Sequence, residues 1–277
     1  MMFLDPEKLR NFVELYREVY SQAKPFPHIV IDNFLSEQVL EKVLYEFPKP
    51  GEVNWYTFDR APERKRQVFT SPNHLGEITR LLLYQLNSSV FIDFVEELTG
   101  INRIIPDPHF KGAGTVQTER GGYMKIHADV NQYQKLNLDR RLVFLLYLNK
   151  DWKEEYGGHL ELWNKEMTEC VQRILPIFNR CVIFTTNDLS YHGHPDPLKC
   201  PKGQTRKSIA VYYYTNGRPS EEVSPAHSTL FQERPGERIP RLDLTPKVLL
   251  KKLVPPIFID MKNSLQPNKP PQRLKKH

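Results

Sequence analysis

Cysteine is scarce in this chain and long apolar runs are missing. The three cysteines among 277 residues, Cys170, Cys181 and Cys200, stand far apart with no Cys-x-x-Cys spacing, which argues against a disulfide framework or a thiolate zinc site. No segment is apolar for the length a membrane-spanning helix requires. The N-terminal Met1-Met2-Phe3-Leu4-Asp5-Pro6 gives way at once to Glu7-Lys8-Leu9-Arg10, without the apolar stretch of a signal peptide. These absences predict a globular protein of the reducing cytoplasm with no membrane span. An excess of one charge is also lacking, except at the end of the chain. From Ser228 to His277 there are eleven Lys/Arg against four Asp/Glu, whereas the whole chain carries +6. Such a tail suits nucleic acid, an anionic surface or an acidic substrate, but its simplest reading is a solvated extension, and no nucleic-acid partner is expected.

What is present suffices for one large domain with a substantial core, at 39% apolar residues. Leu9, Phe12, Val13, Leu15, Tyr16 and Val19 recur at helical intervals and predict an amphipathic helix from about Pro6 to Ala23, stopped by Pro25 and Pro27. His28–Asp32 reads as a short strand, Ser36 as the cap of a helix through Val43 and Leu44, and Leu75–Leu86 and Val90–Leu98 as two more helices ending at Gly100. From about Ile104 the texture changes. Short β-type runs follow at Gly114–Thr118, Tyr123–Ala128, Leu142–Leu148, His159–Trp163, Cys170–Leu175, Cys181–Thr185 and Ser208–Thr215, as in a sandwich or barrel. Helices first and strands after predict an α+β domain: a helical support over residues 1–100 packed on one sheet of a β core over 101–220. Residues 221–277 are expected to be an irregular basic extension rich in proline, wrapping to about Ile259 with a short helix around Lys247–Leu253, and disordered after Ile259.

Within the β-type region, His127-Ala128-Asp129 stands out. On a strand, residues two apart face the same way, so an imidazole and a carboxylate converge on one point, as two ligands of an octahedral metal must. His194-Pro195-Asp196 repeats the pattern, but its central proline opposes strand geometry. Tyr191-His192-Gly193-His194-Pro195 follows the apolar strand Cys181–Phe184 and offers the second imidazole. His192 is the first choice because it comes directly after the strand and leaves Gly-His-Pro to turn away; His194 is the alternative. Two histidines and a carboxylate leave three coordination positions open, enough for a bidentate 2-oxo acid and dioxygen. Arg206 opens the run Ser208–Tyr214, where a guanidinium can grip the distal carboxylate of a diacid. Ser208, Ala210 and Tyr212 share its face, so Tyr212 is a candidate lining residue.

At these residues the chain resembles the 2-oxoglutarate/Fe(II) oxygenase superfamily, in its prolyl-hydroxylase-like branch, across about Pro106 to Gly217. Tyr147-Leu148-Asn149-Lys150-Asp151-Trp152 looks like the strand and turn whose tyrosine assists the arginine in holding 2-oxoglutarate. Gly157-Gly158-His159-Leu160-Glu161-Leu162, His192-Gly193-His194-Pro195 and Arg206–Tyr214 are similar to the strands that follow it. The resemblance implies a double-stranded β-helix, or jelly roll, with His127, Asp129 and His192 on iron(II). It also implies Tyr147 and Arg206 on 2-oxoglutarate, dioxygen as oxidant, and ascorbate as a supporting reductant. A carboxylate at Asp129 favours hydroxylation over halogenation. One departure is the longer gap from His192 to Arg206, where Asp196-Pro197-Leu198-Lys199-Cys200-Pro201 is inserted and is expected to reshape the pocket entrance. The branch includes enzymes for free amino acids, proteins and secondary metabolites, which implies a small-molecule or peptidyl substrate. Two rivals are a metal-binding jelly roll that needs no 2-oxoglutarate, such as a cupin-like enzyme or sugar binder, and a binding module centred on the basic tail.

Overall fold

The computed structural model describes residues 2–49, 51–69, 71 and 74–239. The helix expected around Lys247–Leu253 lies outside the described residues.

Among the described residues, four α-helices and thirteen strands follow from local chemistry. Helix α1 (Pro6–Gln22) begins at Asp5, whose side chain accepts from the Glu7 and Lys8 amides, with Pro6 in the first turn. Strand β1 is His28–Ile31 and helix α2 Glu37–Tyr45. Ser36 stands at the N-cap of α2 with extended backbone but makes no capping side-chain bond. Helix α3 (Glu77–Leu86) is capped instead by a neighbour: the Glu46 carboxylate accepts from the Ile78 and Thr79 amides. Helix α4 (Ser89–Thr99) ends at Gly100 in the left-handed conformation, as its sequence predicts.

Between α2 and α3 lies a hairpin that the helical reading of this region missed, β2 (Tyr56–Arg60) and β3 (Glu63–Phe69). The core strands are β4 (Ile105–Pro106), β5 (Gly114–Ala128), β6 (Gln132–Tyr133), β7 (Leu138–Tyr147), β8 (Leu160–Trp163), β9 (Cys170–Ile174), β10 (Cys181–Thr185), β11 (His192–His194) and β12 (Thr205–Thr215), followed by β13 (Leu230–Phe231). Their order is β1-β10-β7-β12-β5-β11-β8-β9, with β3 also on β5. The two separate runs expected at Gly114–Thr118 and Tyr123–Ala128 are one 15-residue strand. Its first half pairs with β12 and its second with β11, so β5 belongs to both faces of the jelly roll. The bend falls near Gly121-Gly122. Gly121 has φ +78°, and a Cβ at Gly122 would sit 2.7 Å from the Arg64 carbonyl oxygen.

Period-two alternation sorts the side chains. Leu142, Phe144 and Leu146 of β7, Cys181 and Ile183 of β10, and Ile209, Val211 and Tyr213 of β12 join α1, α3 and α4 in the largest apolar core. Fully burying each such side chain stabilises by roughly 1.5–3 kcal/mol. The opposite faces of the same strands carry Val143, Leu145, Phe184, Arg206, Ser208, Ala210 and Tyr212 into a pocket between the sheets. The helical layer thus backs one sheet and leaves its other face to the site.

Candidate metal and co-substrate site

His127 and His192 are brought together by backbone register, since they are direct partners across β5 and β11. Their ring centroids lie 4.4 Å apart. Gly193 makes this approach possible, because a Cβ there would fall 2.8 Å from the Lys125 carbonyl oxygen and 2.9 Å from that of Met124. Asp129 completes the group: one ligand atom from each of the three residues lies within 4.8 Å of the others. His127 Nδ1 donates to the Lys125 carbonyl and His192 Nδ1 to the Ser190 carbonyl, each at 2.9 Å. A carbonyl can only accept, so each Nδ1 carries a proton and each Nε2 is the ring nitrogen left to face the site.

The electrostatics suit a cation. Burial and the neighbouring His127 push the His192 pKa down to about 4, so its imidazole is neutral at physiological pH. Burial alone would raise the Asp129 carboxyl, but Arg140 and the two histidines hold it far below the usual carboxylate range. Asp129 Oδ2 is buried without a hydrogen bond and faces Arg140 Nη1 at 3.4 Å. Two imidazoles and one carboxylate with an unsatisfied oxygen are a donor set that fits iron(II).

Arg206 lies in the same pocket as the three residues. Its Nη2 donates to the Tyr147 hydroxyl at 3.1 Å and its Nε to the Gly158 carbonyl at 2.7 Å, and its guanidinium carbon stands 4.9 Å from the Tyr147 ring centroid. Tyr147 is fully buried and Arg206 6% exposed. Burial lowers the Arg206 pKa, and the contact with Tyr147 works against that shift. Tyr212 also lines the pocket, on the metal side, where its ring lies 3.8 Å from the Arg140 guanidinium carbon.

Two expectations are corrected. The Gly-His-Pro segment does not turn away: His194 stays on β11, buried, and lines the pocket with Nδ1 unpartnered. Burial and the nearby Arg206 drive its pKa well below the usual imidazole value. Nor does the insertion from Asp196 to Pro201 shape the entrance. Leu198 is buried, its amide and carbonyl pair with Gly122 and Gly121, and it packs against Gly158 at the Arg206 end.

Arg140 and Arg66 were not anticipated. Strand alternation from Val143, Leu145 and Tyr147 would have turned Arg141 inward, but the register slips between Tyr213 and Tyr214, which pair with Leu142 and Arg140. The bulge at Arg141 exchanges the two arginines, and Arg140 faces Asp129. Arg66 reaches the pocket from the unexpected hairpin.

Residues 113–214 match the model of the 2OG-Fe(II) oxygenase superfamily. Over those residues the chain is similar to that superfamily. Its resemblance to the prolyl-hydroxylase-like branch also holds. It is 24% identical to the mouse protein named prolyl 3-hydroxylase OGFOD1 over 87% of this chain and 41% of that protein. The match to the Xenopus laevis protein of the same name is 24% over 72% of this chain and 37% of that one. The chain thus spans about two fifths of the length of the curated relatives it matches. Among solved structures, a Trichoplax adhaerens prolyl hydroxylase in complex with a hypoxia-inducible-factor peptide superposes with a TM-score of 0.51. That superposition has 18% identity and covers 76% of this chain and 94% of that one. A Pseudomonas putida prolyl-4-hydroxylase gives 0.51 at 15% identity, over 74% and 99%. These superpositions share the double-stranded β-helix. Iron(II) and 2-oxoglutarate, which give this superfamily its name, fit the donor set and the buried arginine that line the pocket.

Proposed function

We propose that this chain is an iron(II)- and 2-oxoglutarate-dependent dioxygenase that hydroxylates a C–H bond of a prolyl residue in a polypeptide. The observation that supports the reading is Arg206, which lines the pocket that also holds His127, Asp129 and His192 and is hydrogen-bonded to the buried Tyr147. A metal-binding jelly roll that needs no 2-oxoglutarate leaves that pair without a purpose.

In this reading His127, Asp129 and His192 would hold the metal. Iron(II) with 2-oxoglutarate and dioxygen supplies the oxidising power, with succinate and carbon dioxide as co-products. Arg206 grips the distal carboxylate of 2-oxoglutarate, and the Tyr147 hydroxyl, held against the same guanidinium, orients it. Val143, Leu145, Leu160 and Phe184 line the space between and exclude water. Tyr212 and Arg140 form the side from which substrate approaches. The carboxylate of Asp129 fills the third ligand position, which favours hydroxylation.

The prolyl substrate comes from the relatives, which are named prolyl hydroxylases and one of which holds a peptide. No helix among the described residues is long and apolar enough to cross a membrane, and all three cysteines are free, which supports a reducing cytoplasm. Anaerobic reconstitution with iron(II), followed by 2-oxoglutarate turnover on admitting air with proline-containing peptides, tests the reading. Succinate and a peptide heavier by one oxygen are expected. Peptide oxidation without 2-oxoglutarate would overturn it.

A further inference from the structure

The pocket holds one more arginine than a single diacid needs. Arg66 of β3 and Arg206 of β12 both pair with Thr118 of β5, one from each side. Cross-strand partners share a face, and two strand spacings set the arginines roughly 9–10 Å apart at the backbone. Arg206 is turned to Tyr147 and Gly158. Arg66 is also well buried, at 12% side-chain exposure, and lines both the deep pocket and an outer cavity of about 400 Å³ that opens from Asp129 toward the hairpin. The guanidinium is steadied by Glu63 at 3.3 Å and by the Phe58 ring at 5.2 Å. Of its five donors, one is engaged among the described residues.

The outer cavity is lopsided in charge. Arg66, Lys111 and Arg140 line it against Glu63 and Asp129, and Asp129 belongs to the metal group. Lys111 is exposed and, with Arg140, continues into an adjoining groove of about 520 Å³ that adds Lys135.

We propose that Arg66, supported by Lys111, is a carboxylate-binding subsite for the primary substrate, separate from the 2-oxoglutarate site. The inference rests on the oxygenase reading above. It makes the substrate a molecule whose carboxylate sits beside the carbon to be oxidised. That carboxylate is an Asp or Glu side chain flanking the target in a polypeptide, or the α-carboxylate of a free amino acid. The shared chemistry is a planar two-oxygen anion meeting the planar guanidinium fork.

The test uses the full chain loaded with iron(II). A tryptic digest of a bacterial proteome is offered in native form and after its carboxylates are converted to amides. A third arm holds free amino acids and a fourth their amides. Oxygen gain is read by mass spectrometry, and 2-oxoglutarate binding is measured separately by anaerobic calorimetry. Oxidation at least tenfold greater in one carboxylate arm than in its amide counterpart is expected, and the arm that responds names the source. In R66Q that preference should collapse with 2-oxoglutarate affinity retained, and R66K should restore part of it. Equal oxidation of acid and amide arms, a preference that survives R66Q, or silence in every arm would overturn the subsite. So would a loss of 2-oxoglutarate binding in R66Q, which would assign Arg66 to the co-substrate. Failure of the wild type to bind 2-oxoglutarate at all would instead overturn the underlying oxygenase reading.

Discussion

The two ends of the pocket are built by opposite means. At the Arg206 end the groups stand at the ends of the long strands β7 and β12 and in the loop before β8, and Arg206, Tyr147 and the Gly158 carbonyl already satisfy one another. At the metal end the groups stand on strand termini and on the three-residue β11, and Asp129 Oδ2 and His194 Nδ1 are buried without hydrogen-bond partners. A self-satisfied cluster tolerates the loss of a member better than a cluster whose donors converge on a single ion. The metal end should therefore fail abruptly and the arginine end by degrees.

The strongest break comes from the ligands. His127→Ala, Asp129→Ala or His192→Ala should each weaken iron(II) binding by more than the roughly 10–100-fold seen when only a ligand's support is disturbed, and abolish 2-oxoglutarate decarboxylation. His194→Ala should retain metal binding and measurable turnover; the reverse pattern, read by metal titration, would move the ligand role to His194. At the other end, Arg206→Lys exchanges a fork for a point charge and should raise the 2-oxoglutarate KM markedly. Tyr147→Phe removes one neutral donor to a charged acceptor, a loss of roughly 1.5–3 kcal/mol, or about ten- to a hundredfold in affinity. Iron affinity measured without 2-oxoglutarate should not change in either variant. Wild-type 2-oxoglutarate binding by both would remove the assignment.

Acid sharpens the same contrast. His28, His192 and His194 all have pKa values lowered by burial, His192 to about 4. Below the ordinary imidazole pKa of about 6.5 the unfolded chain binds more protons than the folded one, so stability rises with pH across that window. The metal-free protein should lose denaturant resistance as pH falls from about 6.5 toward 4. Two of the three histidines lie in the pocket, so His194→Phe should flatten the dependence in part. The smallest effect is expected from the basic tail: removing residues 255–277 should leave iron and 2-oxoglutarate affinities within about twofold, whereas a tail-centred binding function would vanish.

The convergence of His127, Asp129 and His192 and the inward placement of Arg206 were legible because each sits on or just beyond an apolar strand, where a two-residue period fixes which side chains converge. Tyr147 needed the resemblance as well, since nothing in its own apolar run distinguishes it from a core aromatic. The hairpin escaped notice for a physical reason. Tyr56–Arg60 is exposed along nearly its whole length and β3 is rich in charge, so neither carries an alternation that marks one face as buried. Arg66 therefore drew no notice. Arg140 was hidden by the bulge at Arg141, which local sequence does not announce. His194 was misjudged because Pro195 was allowed to weigh on the residue before it, although β11 ends only after His194.

The direct pairing of His127 with His192 has a kinetic meaning. Hydrogen bonding between β5 and β11 sets the separation of the two imidazoles, and the Lys125 and Ser190 carbonyls fix the orientation of their rings, so the chain assembles the site while it folds rather than when an ion arrives. Loading should then be a simple encounter. Stopped-flow mixing of folded, metal-free protein with a divalent ion should give one phase whose rate grows linearly with ion concentration, with no plateau from a slow rearrangement of the strands.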